Sequence, residues 1–263
     1  VIEAAVHAHL TSAVRAAGAV ALSFFQDEPK AWEKSPGQWV SDADHAANDF
    51  LKHALCGRFP EYGWLSEESE DDPARLTAQR VWVVDPIDGT NAFLADRAEF
   101  TISAALVEEG STVSAALFNP ATDEMFEALV GGGARLNGET MAVSEAAAIE
   151  GASLVSSRSE KDCDEWRNQL SGMTVTAISS IAYKLALVAA GKYDACVTLY
   201  PKSEWDIAAA ALLLAEAGGR ITDARGEGLN FNKPDTQFPD IVAAGPDLHA
   251  LLVERLDLSE IAN

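Results

Sequence analysis

The hexapeptide Asp85-Pro86-Ile87-Asp88-Gly89-Thr90 sets two carboxylates three residues apart directly after the apolar run Val81-Trp82-Val83-Val84. A buried strand that ends in two acids suits a hard divalent cation such as Mg2+, which takes carboxylate and carbonyl oxygens and completes its shell with substrate phosphate. The Gly-Thr pair that follows adds backbone N–H groups and a hydroxyl, so an oxyanion site faces the cation site. The chemistry this points to is hydrolysis of a phosphate ester.

Other readings of the same string fail on single positions. A haloacid-dehalogenase type of phosphatase needs an Asp two residues before Asp88, where Pro86 stands. An EF-hand needs oxygen ligands at alternate positions and a Glu at the twelfth, and Ile87 and Asp96 break that pattern. No Gly-x-Ser-x-Gly elbow is present, and Gly191-Lys192 lacks the upstream Gly and following Ser or Thr of a phosphate-binding lysine loop. His7, His9, His45, His53 and His249 show no metal-ligand spacing. What remains against the chemical reading is a strand that simply ends in a turn with solvated acids. Asp44 and Asp206 are equally open to two readings, because Ser41-x-x-Asp44 and Ser203-x-x-Asp206 both have the form of a helix capping box.

The elements that must position these residues change character along the chain. Ile2 to Phe25 carries Val6, Leu10, Val14, Ala17 and Ala21 at helical spacing, and Asp42 to Cys56 forms a second helix. The segments Val81–Val84, Phe100–Val107, Val113–Phe118 and Glu124–Leu129 are short and separated by turn residues, as in an antiparallel meander. From about Ile149 strands and helices alternate: Ser153–Ser156, Asp162–Leu170, Thr174–Ala177, Ile181–Ala190, Ala195–Thr198, Glu204–Ala217, Arg220–Thr222, Ile241–Ala244 and Pro246–Leu256. The expected division is therefore residues 1–148, helices on an antiparallel sheet, and residues 149–263, an α/β domain, with the two halves sharing a cleft.

Composition narrows the partners. With 19 basic and 41 acidic residues among 263, the formal net charge is −22, which argues against a nucleic-acid polymer or an anionic membrane surface. An acidic protein that handles an anionic substrate must concentrate positive charge locally, which bound metal ions do. Cys56, Cys163 and Cys196 are isolated thiols with neither disulfide nor zinc spacing. The most apolar window, Ile207 to Ala215, is too short to span a bilayer, and the first residues, with Glu3 among them, show no signal-peptide pattern. A cytoplasmic protein is expected.

Five signals in order make the chain resemble the inositol monophosphatase superfamily of Mg2+-dependent, lithium-sensitive phosphatases. They are Lys34 with Val40-Ser41-Asp42-Ala43-Asp44, Ser66-Glu67-Glu68-Ser69, Trp82 through Thr90, Glu204-Trp205-Asp206, and Glu216-Ala217-Gly218-Gly219. The resemblance implies a layered α/β/α/β/α sandwich and commonly a homodimer. It implies that Glu67, Asp85 and the Ile87 carbonyl hold one Mg2+ and that Asp85, Asp88 and Asp206 hold a second, with a loosely held third near Asp44. Asp44 and Thr90 match the residues that orient or deprotonate the attacking water, so that with Glu67 they form the catalytic set. Gly89 and Thr90 would grip the phosphate by backbone N–H groups at a helix N-terminus.

The organic half of the substrate is less legible. Family members acting on inositol monophosphates typically carry an acidic hydroxyl reader seven residues before the helix-start aspartate, where this chain has Leu199. Tyr200-Pro201-Lys202-Ser203 and Lys184 instead resemble the branch acting on adenosine bisphosphates, where basic residues receive a second phosphate. A third reading is a protein that keeps the fold and works by contact, against which the intact carboxylate set argues.

Overall fold

The computed structural model describes residues 4–162 and 168–256. The chain opens with helix α1 (Ala4–Leu22), a hairpin of β1 (Ala31–Ser35) and β2 (Gln38–Ser41), and helix α2 (Asp42–Arg58). There follow β3 (Gly63–Ser66), β4 (Arg80–Asp88), the single turn α3 (Thr90–Phe93), β5 (Thr101–Glu108), β6 (Ser111–Asn119), β7 (Glu124–Leu129), β8 (Ala134–Leu136) and β9 (Glu139–Thr140). The second half runs β10 (Ser153–Ser156), α4 (Arg158–Lys161), β11 (Thr174–Ala177), α5 (Ile181–Ala189), β12 (Ala195–Thr198), β13 (Lys202–Ser203) and α6 (Glu204–Glu216). It closes with β14 (Arg220–Thr222), β15 (Gln237–Phe238), β16 (Ile241–Ala244) and α7 (Pro246–Arg255).

Five layers result. A seven-stranded sheet, β3-β4-β5-β6-β7-β8-β9, is covered on one face by α1 and α2 and on the other by α5 and α6. A five-stranded sheet, β11-β10-β12-β16-β14, lies on the far side of α5 and α6, and α7 covers its outer face. The residue types explain the layering. All nine residues of α5 and the run Ile207–Leu214 of α6 are buried. Helices that are apolar all round belong between two sheets. By contrast α1 buries a stripe, Val6, Leu10, Val14, Ala17 and Ala21, and leaves its other face to solvent. A Cβ on Gly18 of that helix would lie 2.4 Å from the Phe118 ring, so the glycine lets α1 approach the sheet closely.

One cluster of buried apolar residues joins Val83, Ala105, Leu117 and Phe126 of the large sheet to Leu185, Ile207, Leu213 and Ile241 of the second half. The core is therefore continuous across residue 148. Most of the expected strands and helices fall within a few residues of the observed ones, and Asn137-Gly138 forms the tight turn between β8 and β9, both residues with positive φ. The β1–β2 hairpin, β3, the short strands β8 and β9, the single turn α4 and the β13–β15 pair have no counterpart in the sequence reading. The hairpin strands are largely exposed apart from Val40 and Ser41 at their end and lack apolar alternation, and β3 is short and sits before an acidic loop, so neither carries the periodicity that marks a strand. The first sheet is accordingly not a pure meander, since β3 runs parallel to β4. The helix expected over Asp162–Leu170 falls mainly on residues 163–167, as does Cys163, and these lie outside the described residues. Among the described residues no helix is long and apolar enough to cross a membrane.

Candidate active site

β4 is buried from Val81 to Asp88 because helices cover both faces of the sheet there. Its pairing with β5 shifts register between Asp85 and Asp88, around Pro86, which has no N–H to give a ladder. Such a break re-aims side chains at the end of a strand. Asp85, 1 % exposed, keeps one oxygen on the Ile87 N–H at 3.0 Å. Parallel β3 ends beside it: Ser66 pairs with Val84, and the Glu67 N–H donates to the Val84 carbonyl at 3.2 Å. Asp206 arrives from the first turn of α6, where one of its oxygens caps the Ser203 N–H at 2.7 Å. Ligand atoms of Glu67, Asp85 and Asp206 thus lie within 4.8 Å of one another.

Asp88 stands beside this trio, but one of its oxygens is turned away, accepting from Ser180 Oγ at 2.6 Å and from the Ala182 N–H at the start of α5. Asp44, 1 % exposed, divides its oxygens. Oδ2 accepts from the Ser41 N–H and hydroxyl at 2.8 and 2.6 Å, closing the capping box of α2, and Oδ1 faces Thr90 Oγ1 at 3.0 Å. The cap and the approach to Thr90 are compatible because they use different oxygens. Thr90 Oγ1 also lies 3.1 Å from the Ile87 carbonyl. Gly89 has φ +98°, and a Cβ there would meet the Glu99 carbonyl at 2.7 Å, so the turn that presents the Gly89 and Thr90 N–H groups requires glycine. α3 has only four residues, so a macrodipole contributes little and the individual N–H groups are what an anion would meet.

Glu67, Asp85, Ile87, Asp88, Gly89, Thr90 and Asp206 line one cleft of about 810 Å3 between the two halves, together with Lys34, Trp39, Arg97, Arg158, Lys184, Tyr200 and Lys202, and Asp44 lies behind Thr90. Among the described residues, five basic side chains therefore face a single cleft of a strongly acidic protein. Lys184 is 1 % exposed, and Lys202 donates to the carbonyls of Tyr200 and Pro201 at 3.3 and 3.1 Å. Lys34, on the hairpin, reaches Glu67 at 2.9 Å and also pairs with Glu68. Glu68 is thus tied to Lys34 and stands outside the trio. Lys34 appeared in the sequence motif without a role. Ser180 and Arg158 were missed altogether. Ser180 had a signal, a serine just before an apolar helix, whereas nothing local marks Arg158, which pairs with Glu99 across the cleft at 2.9 Å.

The electrostatics are those of a site short of positive charge. Burial, reinforced by the charges of Glu67, Asp88 and Asp206, pushes the Asp85 carboxyl well above the usual carboxylate range, and burial with Asp88 and Glu67 does the same to Asp206. Asp88 is raised by burial against hydrogen bonds from Ser180 and Ala182 and the charges of Lys184 and Lys202. Asp44 is raised by burial despite the bonds from Ser41 and Thr90. Glu67 is pushed from 4.5 up to about 7, by burial first, with Lys34 opposing and Glu68 and Asp44 adding to the rise. Burial opposes the charge on Lys34, but Glu67 and Glu68 outweigh it and hold the lysine above its ordinary value.

A carboxyl whose pKa is higher in the folded than in the unfolded chain binds its proton more tightly when folded, so the native state is disfavoured as pH rises through that interval. For Glu67 the interval runs from 4.5 to about 7, and Asp85 and Asp206 act in the same direction. In EDTA the melting temperature is therefore expected to fall as the pH is raised across this window. Saturating Mg2+ should flatten the trend, because a cation binds only the ionised acids. Parallel melting curves with and without Mg2+ check this, and a metal-free protein that gains stability over the window contradicts it.

A layered α/β/α/β/α sandwich with clustered acids at a strand end and a glycine turn beside them defines a class of metal-dependent phosphatase. The profile of the inositol monophosphatase family matches residues 3–259. The chain belongs to that family and is a phosphoric monoester hydrolase. The inositol-1-monophosphatase of Rhizobium meliloti strain 1021 is 38 % identical to it over 203 residues, 74 % of this chain and 76 % of the relative. The Nus factor SuhB of Pseudomonas aeruginosa is 35 % identical over 205 residues, 74 % of this chain and 75 % of the relative. Among solved structures, the extragenic suppressor protein suhB from Bartonella henselae superimposes with a TM-score of 0.82 at 28 % identity, covering 96 % of this chain and 98 % of that one.

Proposed function

We propose that this chain hydrolyses a small-molecule phosphate monoester as an inositol monophosphatase does, with Mg2+ held by Glu67, Asp85, the Ile87 carbonyl, Asp88 and Asp206. The observation that carries the reading is the approach of Glu67, Asp85 and Asp206 ligand atoms to within 4.8 Å. Carboxylates so close repel one another, and hard oxygen donors around one point fit a hard divalent cation. When bound, a pair of such ions lowers the pKa of an attacking water and neutralises charge on the leaving oxygen. The remaining work falls to side chains. Thr90 has one hydroxyl proton and two acceptors, Asp44 Oδ1 and the Ile87 carbonyl. The Ile87 carbonyl would be engaged in holding a cation, so Asp44 would be the acceptor of the Thr90 proton, and the free lone pairs of Thr90 Oγ1 would take a hydrogen bond from the attacking water. The Gly89 and Thr90 N–H groups hold the phosphate in line. The same reading includes two or three ions per site, lithium sensitivity, a homodimer and a cytoplasmic setting, all supported by the family resemblance.

A second reading of the substrate is favoured by one observation: Lys184 and Lys202 both line the cleft, and both are close enough to Asp88 to stabilise its charge. With Leu199 in place of an acidic hydroxyl reader, these cations suit a second phosphate, as on an adenosine bisphosphate, through charge-assisted contacts. Phosphate release from a panel of inositol, sugar and nucleotide phosphates, with and without Mg2+, tests both readings. Lys184→Ala with Lys202→Ala is expected to cut kcat/KM on the bisphosphate by roughly a hundredfold and on inositol monophosphate by less than about fivefold. Equal losses return the substrate to the monophosphate class, and a panel silent with Mg2+ favours a protein that works by contact.

A further inference from the structure

The three acids of the cluster are not held alike. Asp85 sits at the end of a central strand and Asp206 in the first turn of a buried helix, but Glu67 rides on the loop Ser66–Ser69 beyond edge strand β3. Repulsion among the acids therefore acts most effectively on Glu67, whose support is weakest. The loop keeps one backbone tie to β4, the Glu67 N–H on the Val84 carbonyl. Lys34 of the hairpin pairs with the Glu67 and Glu68 carboxylates, and a further anchor comes from a residue outside every motif of the site.

That residue is Asn48 on α2, one turn beyond Asp44 and 3 % exposed. Its Oδ1 accepts from Ser66 Oγ at 2.7 Å, and its Nδ2 donates to Ser69 Oγ at 3.2 Å and to the Glu68 carbonyl at 3.4 Å. Ser69 Oγ also receives the Trp64 indole N–H at 3.0 Å, and the Glu68 N–H points to Ser66 Oγ at 3.4 Å. Both ends of the loop are thus clamped to the helix that carries Asp44. An amide suits this place because it offers a donor and an acceptor without charge. A carboxylate there would lack the donor and add a further negative charge beside Glu67, Glu68 and Asp44.

We infer that Asn48 is a positioning residue for cation binding: it latches the Glu67 loop to α2, so that Glu67 stays at its spacing from Asp85 and Asp206 and Asp44 stays in register with them. The inference rests on the proposed role of Glu67 as a cation ligand. Partners behind metal ligands typically contribute tenfold to a hundredfold in affinity. Loosening the latch leaves the acids themselves intact, so the loss belongs in the assembly of the site and not in turnover once it is filled.

Mg2+ titrated calorimetrically into the wild-type protein without substrate, and into Asn48→Ala, Asn48→Asp and Ser66→Ala, tests this alongside melting curves in EDTA. Asn48→Ala is expected to bind Mg2+ about tenfold or more weakly, Asn48→Asp more weakly still, and kcat at saturating Mg2+ to fall less than about threefold. Ser66→Ala removes the partner from the other side, and its effect should not add to that of Asn48→Ala in the double variant. Unchanged Mg2+ affinity in Asn48→Ala and Ser66→Ala would overturn the latch, as would a loss confined to kcat. A wild-type protein that binds no Mg2+ strikes at the proposed function instead, so the two failures are separable.

Discussion

Asp85→Asn is expected to lower turnover on the order of a thousandfold while raising the melting temperature of the metal-free protein. The first effect follows from its position, fully buried and close enough to Glu67, Asp88 and Asp206 for all three charges to act on it. No other acid of the cluster is shared between both proposed ions, so its removal weakens each. Loss of a single preorganised electrostatic group already costs a hundredfold to a thousandfold in catalysis. The second effect has the opposite sign because the same carboxylate is a burden without a cation. Asparagine keeps an oxygen for the Ile87 N–H, and its new N–H2 finds acceptors in the neighbouring carboxylates. A gain of a few degrees in EDTA corresponds to about 1–2 kcal/mol at this chain length. Phosphate-release assays and thermal unfolding in EDTA measure the two sides separately. Activity within about tenfold of wild type would remove Asp85 from the centre of the site, and a lower melting temperature in EDTA would contradict the stored repulsion.

Thr90→Ala should lose turnover by about a hundredfold or more, the usual contribution of a positioned proton acceptor or donor, with little change in Mg2+ affinity or inhibition by inorganic phosphate. Nothing in the acid trio depends on this hydroxyl. What it does is join Asp44 to the space in front of the Gly89 turn, with Oγ1 3.0 Å from Asp44 Oδ1. Alanine leaves that buried oxygen without its partner, at a stability cost of about 1 kcal/mol. Thr90→Ser restores the hydroxyl and should recover most of the rate, whereas a serine variant as slow as the alanine one would locate the effect in packing. Equal turnover in Thr90→Ala and wild type would leave activation of the water to the bound ions alone.

What each level of organisation decided is visible in how the site is built. The string Asp85 to Thr90 carries its own chemistry, since acid types, a proline that breaks the ladder and a glycine with positive φ are local properties. The helices α1, α2, α5, α6 and α7 were likewise legible, because burial of one face, or of every face, writes itself into periodicity and apolar runs. The residues that complete the site depend on which distant segment lies alongside which. Glu67 reaches Asp85 because an unannounced parallel edge strand ends beside Val84, one residue before Asp85 in β4, and Asp206 reaches both because the layers stack α6 on the large sheet. Lys34 comes from an exposed hairpin with no apolar alternation, and Asn48 is a polar residue in a helix whose partners lie on another loop. Pairing register and layer stacking are set by the total burial of the chain, so no window of neighbouring residues contains them.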